Sequence, residues 1–192
     1  MKVIFKYWFG RMSKDTTIYS NYFNSFNKTK VIIFSAQLSV IAAILQSAGG
    51  LMPGVGYLIS PLTTLPIVLA SLISARTGIL TYLTTFFLLV VLQPSETTIF
   101  PFTTGMLGLA LGTTLTSYNK FSSVLISSVV LLTGISVLLY ILQFPVLGPM
   151  ASSTFNYNVV VFIGIFSFVY AWFWLEISLF VLRKINSVII HS

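Results

Sequence analysis

Long apolar blocks separated by brief polar breaks dominate the pattern of this chain. The blocks cover residues 31–48, 58–75, 77–93, 99–116, 122–144 and 158–182. Most of them approach the roughly 20 apolar residues that an α-helix needs to cross the hydrocarbon core of a bilayer. The pattern therefore predicts an all-α, polytopic membrane protein whose six transmembrane helices pack as one bundle.

Residues 1–30 follow another pattern, in which basic and aromatic side chains alternate with polar ones. The apolar patch at residues 3–9 is too short for the core of a signal sequence, and no small-residue cleavage site follows it. We interpret residues 1–30 as an amphipathic segment that lies at the membrane interface, and residues 31–192 as the transmembrane domain.

The composition supports a membrane protein and leaves little for catalysis. Of the 192 residues, 56% are hydrophobic and only 7% are charged, a balance that a soluble domain of this length does not need. With no cysteine, one histidine and three acidic residues, the chain has almost nothing from which to build a metal site, a carboxylate pair or a serine–histidine dyad. We expect no enzyme activity, no cofactor and no metal.

The ten basic residues predict the orientation of the bundle. They are Lys2, Lys6, Arg11, Lys14, Lys28, Lys30, Arg76, Lys120, Arg183 and Lys184. With six spans, all of them fall on one side of the membrane, which the positive-inside rule assigns to the cytoplasm. We therefore expect a multi-pass protein of the cell membrane with both termini cytoplasmic. The net charge of +7 then reflects the orientation of the protein in the membrane, and we expect no nucleic-acid binding.

The first break on the outer side has the sequence GGLMPGVGYLISPLTTLP, residues 49–66. Gly49 and Gly50 are expected to end helix 1, and Ser60 and Pro61 to begin helix 2 as N-cap and first helical residue. Counted from Pro61, helix 2 would be about 22 Å long, shorter than the hydrocarbon core. Either the loop dips into the membrane as a lid over an outward-facing pocket, or it is a plain tight hairpin.

Two helices that run inward begin with similar sequences, SPLTTLP and FPFTTG. Their paired threonines are Thr63 with Thr64 and Thr103 with Thr104. In a weak internal repeat these side chains would face the pocket from two helix N-termini. The alternative is that each hydroxyl bonds back to a carbonyl of its own helix.

Small residues form a stripe along helix 1, where they recur every fourth position. The stripe consists of Ser35, Ser39, Ala43 and Ser47, and a GxxxG pair, Gly108 and Gly112, occurs in helix 4. Such patterns let another helix approach closely. The stripe predicts either packing inside the bundle or a docking surface for a partner subunit.

Polar and aromatic residues cluster at the outer breaks and are the candidates for binding a ligand. They are Tyr57, Gln93, Glu96, Tyr140, Gln143, Asn156, Tyr157 and Asn158, together with Thr103 and Thr104. Glu96 carries the only formal charge on the outer side, so an amine or other cation is its natural partner. Alternatively, Ser95 and Glu96 simply begin helix 4, and the tyrosines belong to the aromatic belt.

Glu176 is the one carboxylate inside a predicted span. It lies seven residues before Arg183, on nearly the same helix face, and we expect it to pair with Arg183, Lys184 or Arg76. An intramembrane carboxylate is also a functional candidate by default.

The chain resembles the S components of energy-coupling factor vitamin transporters. The resemblance rests on six short helices, the small-residue stripe, the glycine- and proline-rich first outer loop and the run SPLTTLPIVLASLISARTGILTYL. The resemblance covers residues 31–183. It implies a vitamin-like ligand bound on the outer side, and a transmembrane coupling subunit, shared with two ATPases, docked on Ser35, Ser39 and Ala43. The chain departs from the family in having serines where alanines are typical, a longer N-terminal segment and no vitamin-specific signature.

The sequence thus favours the substrate-binding membrane subunit of a small-molecule uptake transporter. The alternative is a noncatalytic scaffold or assembly partner of another membrane protein complex. That alternative needs no pocket among the outer breaks.

Overall fold

The computed structural model describes residues 2–9, 13–52, 54–144 and 157–191, and this part of the chain is helical without a strand. The α-helices are α1 Lys2–Phe9, α2 Ser13–Asn24, α3 Lys28–Leu51, α4 Gly56–Ile59, α5 Thr64–Ile73, α6 Ala75–Leu92, α7 Pro94–Ile99, α8 Thr104–Ser117, α9 Lys120–Ser136 and α10 Tyr157–His191. The 3₁₀ turn Ser60–Thr63 joins α4 to α5, and Phe100–Phe102 joins α7 to α8. A π-helical turn, Val137–Ile141, follows α9.

Six helical segments are long and apolar enough to cross a membrane, which confirms the predicted number of spans. They are Lys28–Leu51, Gly56–Ile73, Ala75–Leu92, Pro94–Ser117, Lys120–Ile141 and Tyr157–Ile190. Each contains most of one predicted block. Every segment begins before its apolar block, and three of them end before the block does.

The basic side chains gather at one end of these helices. The helices α3, α6 and α9 begin with or next to a basic residue, and α10 carries Arg183 and Lys184 near its end. Two ion pairs fix this arrangement: Lys120 Nζ lies 2.7 Å from a Glu176 carboxylate oxygen, and Arg183 Nε lies 3.1 Å from Asp15. We call this end of the bundle the basic end.

The two N-terminal helices pack on the basic end as part of the same folded unit. Tyr19 and Phe23 of α2 are buried in the main hydrophobic core. Trp8 of α1 makes ring contacts with Phe121 of α9 and Trp172 of α10. Trp8, Tyr19 and Phe23 therefore tie α1 and α2 to the rest of the bundle.

Two of the spans share an interrupted architecture. In each, a short helix leads into a 3₁₀ turn that contains a proline, and a longer helix, α5 or α8, begins at a threonine. A Cβ atom at Gly108 would lie 3.0 Å from the carbonyl oxygen of Thr64, and one at Gly112 would lie 2.8 Å from that of Val68. Moving four residues along α8, from Gly108 to Gly112, moves the contact four residues along α5, from Thr64 to Val68. The two helices are therefore parallel neighbours. The predicted GxxxG pair packs inside the bundle, and the weak repeat has a structural counterpart.

The prediction for the first outer break is wrong in detail. Gly49 and Gly50 do not end helix 1, because α3 continues through them to Leu51. Helix 2 begins at Gly56 rather than Ser60, whose side chain makes no capping bond. The span Gly56–Ile73 has 18 residues and is about 27 Å long. The connection shrinks to residues 52–55, so the tight hairpin and not the long lid is observed.

Close approach explains why this hairpin is tight. A Cβ atom at Gly56 would collide with the backbone of Ala48, so only glycine lets α4 start against the last turns of α3. Gly54 adopts a φ of +80°, which reverses the chain between the two helices at little cost only for glycine.

The stripe of small residues on α3 packs against α6. Ser35 Oγ lies 2.7 Å from Thr81 Oγ1, and Thr85 Oγ1 donates to the Ser39 carbonyl at 3.4 Å. All four stripe residues, including Ala43 and Ser47, are buried within the chain. This burial agrees with the internal-packing alternative, and docking of a partner subunit on the stripe stays a prediction.

Candidate functional site

A cavity of about 790 Å³ lies at the end of the bundle opposite the basic end. It is bordered by the last turns of α3, the start of α4, α7 and the start of α8, and by α9 and α10. Its polar side chains are Gln46, Tyr57, Ser60, Ser95, Glu96, Thr103, Thr104 and Tyr170, and its apolar ones are Pro61, Ile99, Leu131, Ile135, Phe144 and Phe166. This volume is typical of sites that hold small molecules.

Glu96 supplies the charge of this cavity. Pro94 begins the short helix α7, and Glu96 follows in its first turn. Only 5% of the residue is exposed. Its Oε2 atom accepts a hydrogen bond of 2.7 Å from Gln46 Nε2, and Gln46 Oε1 accepts one of 2.7 Å from the Thr104 hydroxyl. The network connects α3, α7 and α8 and holds the carboxylate in one orientation.

The second carboxylate oxygen, Oε1, lies against the backbone of α3. A Cβ atom at Gly49 would come within 2.7 Å of it, so a glycine is needed for this close approach. Among the described residues, Oε1 has no hydrogen-bond partner. Because Glu96 lines the cavity, this oxygen is available to a bound molecule.

Glu96 also has no counter-ion within the described part of the chain. The two ion pairs found there join Lys120 to Glu176 and Arg183 to Asp15, both at the basic end. Among the described residues that line the cavity, none is a lysine or arginine. A buried carboxylate without a cation is costly, which makes this position a functional candidate.

Aromatic side chains, which we call the aromatic wall, also line the cavity: Phe144, Phe166 and Tyr170. Phe166 and Tyr170 of α10 stack with their ring centroids 5.3 Å apart. The π-helical turn after α9 and the positive φ of Gln143 turn the chain so that Phe144 reaches the cavity, where its backbone N–H donates to the Leu138 carbonyl at 2.8 Å. Tyr57, whose exposed fraction is 67%, also lines the cavity.

The structure brings four of the predicted ligand-binding residues to the cavity, namely Tyr57, Glu96, Thr103 and Thr104. Gln93 lies next to it, donating to Ser95 Oγ at 3.0 Å. Tyr140, Gln143, Tyr157 and Asn158 do not line it, and Asn156 lies outside the described residues.

Two roles were predicted for the four threonines: to face the pocket, or to bond back to a carbonyl of their own helix. The structure shows different outcomes for different threonines. Thr103 lines the cavity, yet its hydroxyl bonds back to the Ile99 carbonyl at 2.8 Å. Thr104 instead donates to Gln46. Thr63 donates to the Ala42 carbonyl of α3 at 3.2 Å, and Thr64 is buried away from the cavity.

Sequence reasoning missed Gln46, which organises the network. The sequence feature that could have identified Gln46 is an amide inside an apolar block, about one turn before the end of the helix. A polar group at such a position needs a hydrogen-bond partner. The aromatic wall gave no comparable signal. Phe166 and Tyr170 belong to a helix that also exposes Phe162 and Phe173, and the sequence does not separate the two faces.

The prediction for Glu176 is wrong in its partners. Its carboxylate accepts hydrogen bonds from Lys120 Nζ at 2.7 Å and from the Tyr7 hydroxyl at 2.6 Å, while Arg183 pairs with Asp15. Trp172 Nε1 donates to the Tyr7 hydroxyl at 3.1 Å. The same-helix reasoning failed because α9 and the folded-back α1 bring these groups to α10. Burial, followed by the bond to Glu176, raises the pKa of Tyr7. This second polar cluster fastens α1 to the bundle.

No cluster of three or more histidine, cysteine, aspartate or glutamate side chains occurs in the described ranges. The polar groups around the cavity suit binding through hydrogen bonds and charge. Comparison with protein-family models, curated proteins and solved structures gives no match.

Proposed function

We propose that this protein is a membrane subunit that captures a small molecule in the cavity around Glu96. One observation carries the proposal: a cavity of small-molecule size encloses a buried, uncompensated carboxylate at the end of a six-span bundle. A bundle that only needed to fill its interior would place an apolar side chain at this position.

The direction of capture follows from charge. Lysine and arginine side chains near membrane helices favour the cytoplasmic side. With the basic end in the cytoplasm, both termini are cytoplasmic and the cavity faces the outside. The protein then takes its ligand from the external medium.

The resemblance to S components of energy-coupling factor transporters extends this proposal to uptake. Such a subunit binds a vitamin-like molecule and relies on a coupling membrane subunit and ATPases for energy.

Capture is tested with purified protein in detergent and a cellular small-molecule fraction below about 1 kDa. Native mass spectrometry is expected to show a bound mass on the natural protein. Ser60→Trp, which fills the border of the cavity, is expected to abolish that mass. Thr133→Trp, which places the same side chain on an exposed face of α9, is expected to retain it. Absence of any bound mass on the natural protein would refute capture.

Orientation is tested separately by labelling single cysteines in intact cells, for which the cysteine-free chain is suited. Val55→Cys lies in the exposed first hairpin and Tyr118→Cys in an exposed loop at the basic end. A membrane-impermeant maleimide is expected to label only the first. Labelling of position 118 alone would invert the proposed topology.

A second candidate, the scaffold, is favoured by one exposed amide. Gln37 lies near the middle of the 24-residue α3, and no hydrogen bond joins it to the rest of the described chain. It borders a shallow groove at Ala36, next to which Thr84 of α6 is also exposed. An amide that faces hydrocarbon is costly, and another transmembrane helix with a polar side chain at this depth would satisfy it.

A photo-crosslinking amino acid distinguishes this candidate. Placed at position 37, it is expected to form one discrete protein adduct in membranes if the scaffold function holds. The control position is Val129, exposed on α9. Lipid adducts alone at both positions would eliminate the scaffold and leave capture unaffected.

A further inference from the structure

We infer that the molecule held in the cavity is an organic cation, a protonated amine or a quaternary or aromatic ammonium group on an apolar body. The inference rests on the proposed function and adds the chemical class of the ligand. It begins with the carboxylate of Glu96, a residue that lines the cavity: one oxygen is bonded to Gln46, and the other has no hydrogen-bond partner in the described chain.

The charge of the ligand follows from the balance of the site. The lining residues that the structure describes include one carboxylate and no lysine or arginine. An anion such as a phosphate or carboxylate would meet a like charge, whereas a cation would compensate a buried charge that the protein leaves unpaired. A cation is therefore favoured over both an anion and a neutral molecule.

At the interrupted helix, two backbone N–H groups already donate to carbonyls of the same segment. At the start of α8, the Thr103 N–H donates to the Ile99 carbonyl at 3.1 Å, and the Leu107 N–H donates to the Thr103 carbonyl at 2.9 Å. These N–H groups are used in the helical ladder and are not available to a phosphate.

The apolar portion of the ligand is inferred from the aromatic residues that line the cavity. Phe144, Phe166 and Tyr170 offer ring faces or edges in the same cavity as Glu96. Aromatic faces attract organic cations, and they also remove apolar surface from water. The volume of about 790 Å³ admits a metabolite with several rings or an extended chain rather than a bare metal ion.

The Gln46 network provides selectivity as well as position. The amide keeps one carboxylate oxygen occupied, so the ligand meets a single free oxygen, Oε1, beside Gly49. A primary ammonium would donate one hydrogen bond to that oxygen and present its remaining polar hydrogens to Ser60 or Ser95, which also line the cavity. A quaternary ammonium would interact through charge and aromatic contact alone.

The test identifies what the natural protein captures. Protein in detergent is incubated with the small-molecule fraction, washed and denatured, and the released molecules are identified by chromatography and mass spectrometry at neutral pH. The expected result is enrichment of organic cations with an apolar portion. Enrichment of neutral or anionic molecules instead would overturn the cation inference while leaving capture intact, and no enrichment at all would refute both.

A matched pair of variants tests the assigned carboxylate. Glu96→Gln preserves the side-chain shape and removes the charge, and it is expected to weaken binding of the enriched cation about 30-fold or more. Glu176→Gln removes a carboxylate at the basic end and is expected to leave binding unchanged. Equal binding by all three proteins would overturn the inference. If Glu96→Gln does not fold, the charge of the molecules captured by the natural protein still decides it.

Discussion

Gln46 provides the most direct test of the network behind the cavity. Replacing it with leucine keeps the volume of the side chain but removes both the donor to Glu96 and the acceptor for Thr104. Both bonds are 2.7 Å long and buried. The carboxylate would then lose its only protein partner in the described chain, and the substitution leaves two buried polar groups unsatisfied.

The expected cost follows from the two bonds. A hydrogen bond to a charged group contributes about 1.5–3 kcal/mol and one between neutral groups about 0.5–1.5 kcal/mol. Gln46→Leu is therefore expected to lower the free energy of unfolding by about 3 kcal/mol. At about 2–4 °C per kcal/mol for a chain of this size, the midpoint of thermal unfolding falls by roughly 6–12 °C.

The assay is intrinsic-fluorescence melting in detergent, which the three tryptophans permit. Gln37→Leu is the matched control, because it makes the same substitution on the same helix at an exposed amide without a partner in the described chain. It is expected not to lower the free energy of unfolding, because it breaks no hydrogen bond of the described chain and removes an amide that faces hydrocarbon. Equal melting temperatures for the two variants would refute the assigned network.

Three further predictions concern packing and the basic end. Gly112→Ala is expected to destabilise the protein by about 1–3 kcal/mol, because its Cβ atom would press on α5; Gly164→Ala, where nothing lies within 4 Å, should raise stability by up to about 1 kcal/mol in the same melting assay. Tyr7→Phe loses the bonds to Glu176 and Trp172, so limited proteolysis should cut the N-terminal segment faster; an unchanged rate would argue against the fastening of α1. Burial raises the pKa of the Tyr19 phenol, so folding favours its neutral form. The contribution of this neutral phenol to the free energy of unfolding should be complete below pH about 10 and should be lost as the pH rises through the raised pKa. In a spectroscopic titration, Tyr19→Phe should lack one phenol that ionises late in the natural protein.

The candidate site shows where prediction from sequence succeeds and where it stops. Glu96 was identifiable because it is the one carboxylate among the outer breaks, and a charged group there needs a reason. Its partner Gln46 lies 50 residues away on another span. No local pattern relates the two, since the contact depends on how α3 packs against α7.

The errors have the same origin. Gly49 and Gly50 are ordinary helix-ending signals, yet they lie inside α3 because another helix approaches them closely. Glu176 was matched to Arg183 on its own helix, although the side chains that reach it come from α1 and α9. Local propensities are weak beside tertiary contacts of this kind.

By itself, the sequence predicted that the described chain is helical, that six of its segments are long and apolar enough to cross a membrane, and that basic residues lie at the ends of those segments. These properties follow from apolar length and charge position along a single chain, and water and lipid impose them on each helix separately. The tertiary structure decided which glycines bend the chain and which admit a neighbour, which residues pair with Glu96 and Glu176, and where the aromatic wall lies. Those outcomes depend on distances between helices, which no single helix encodes.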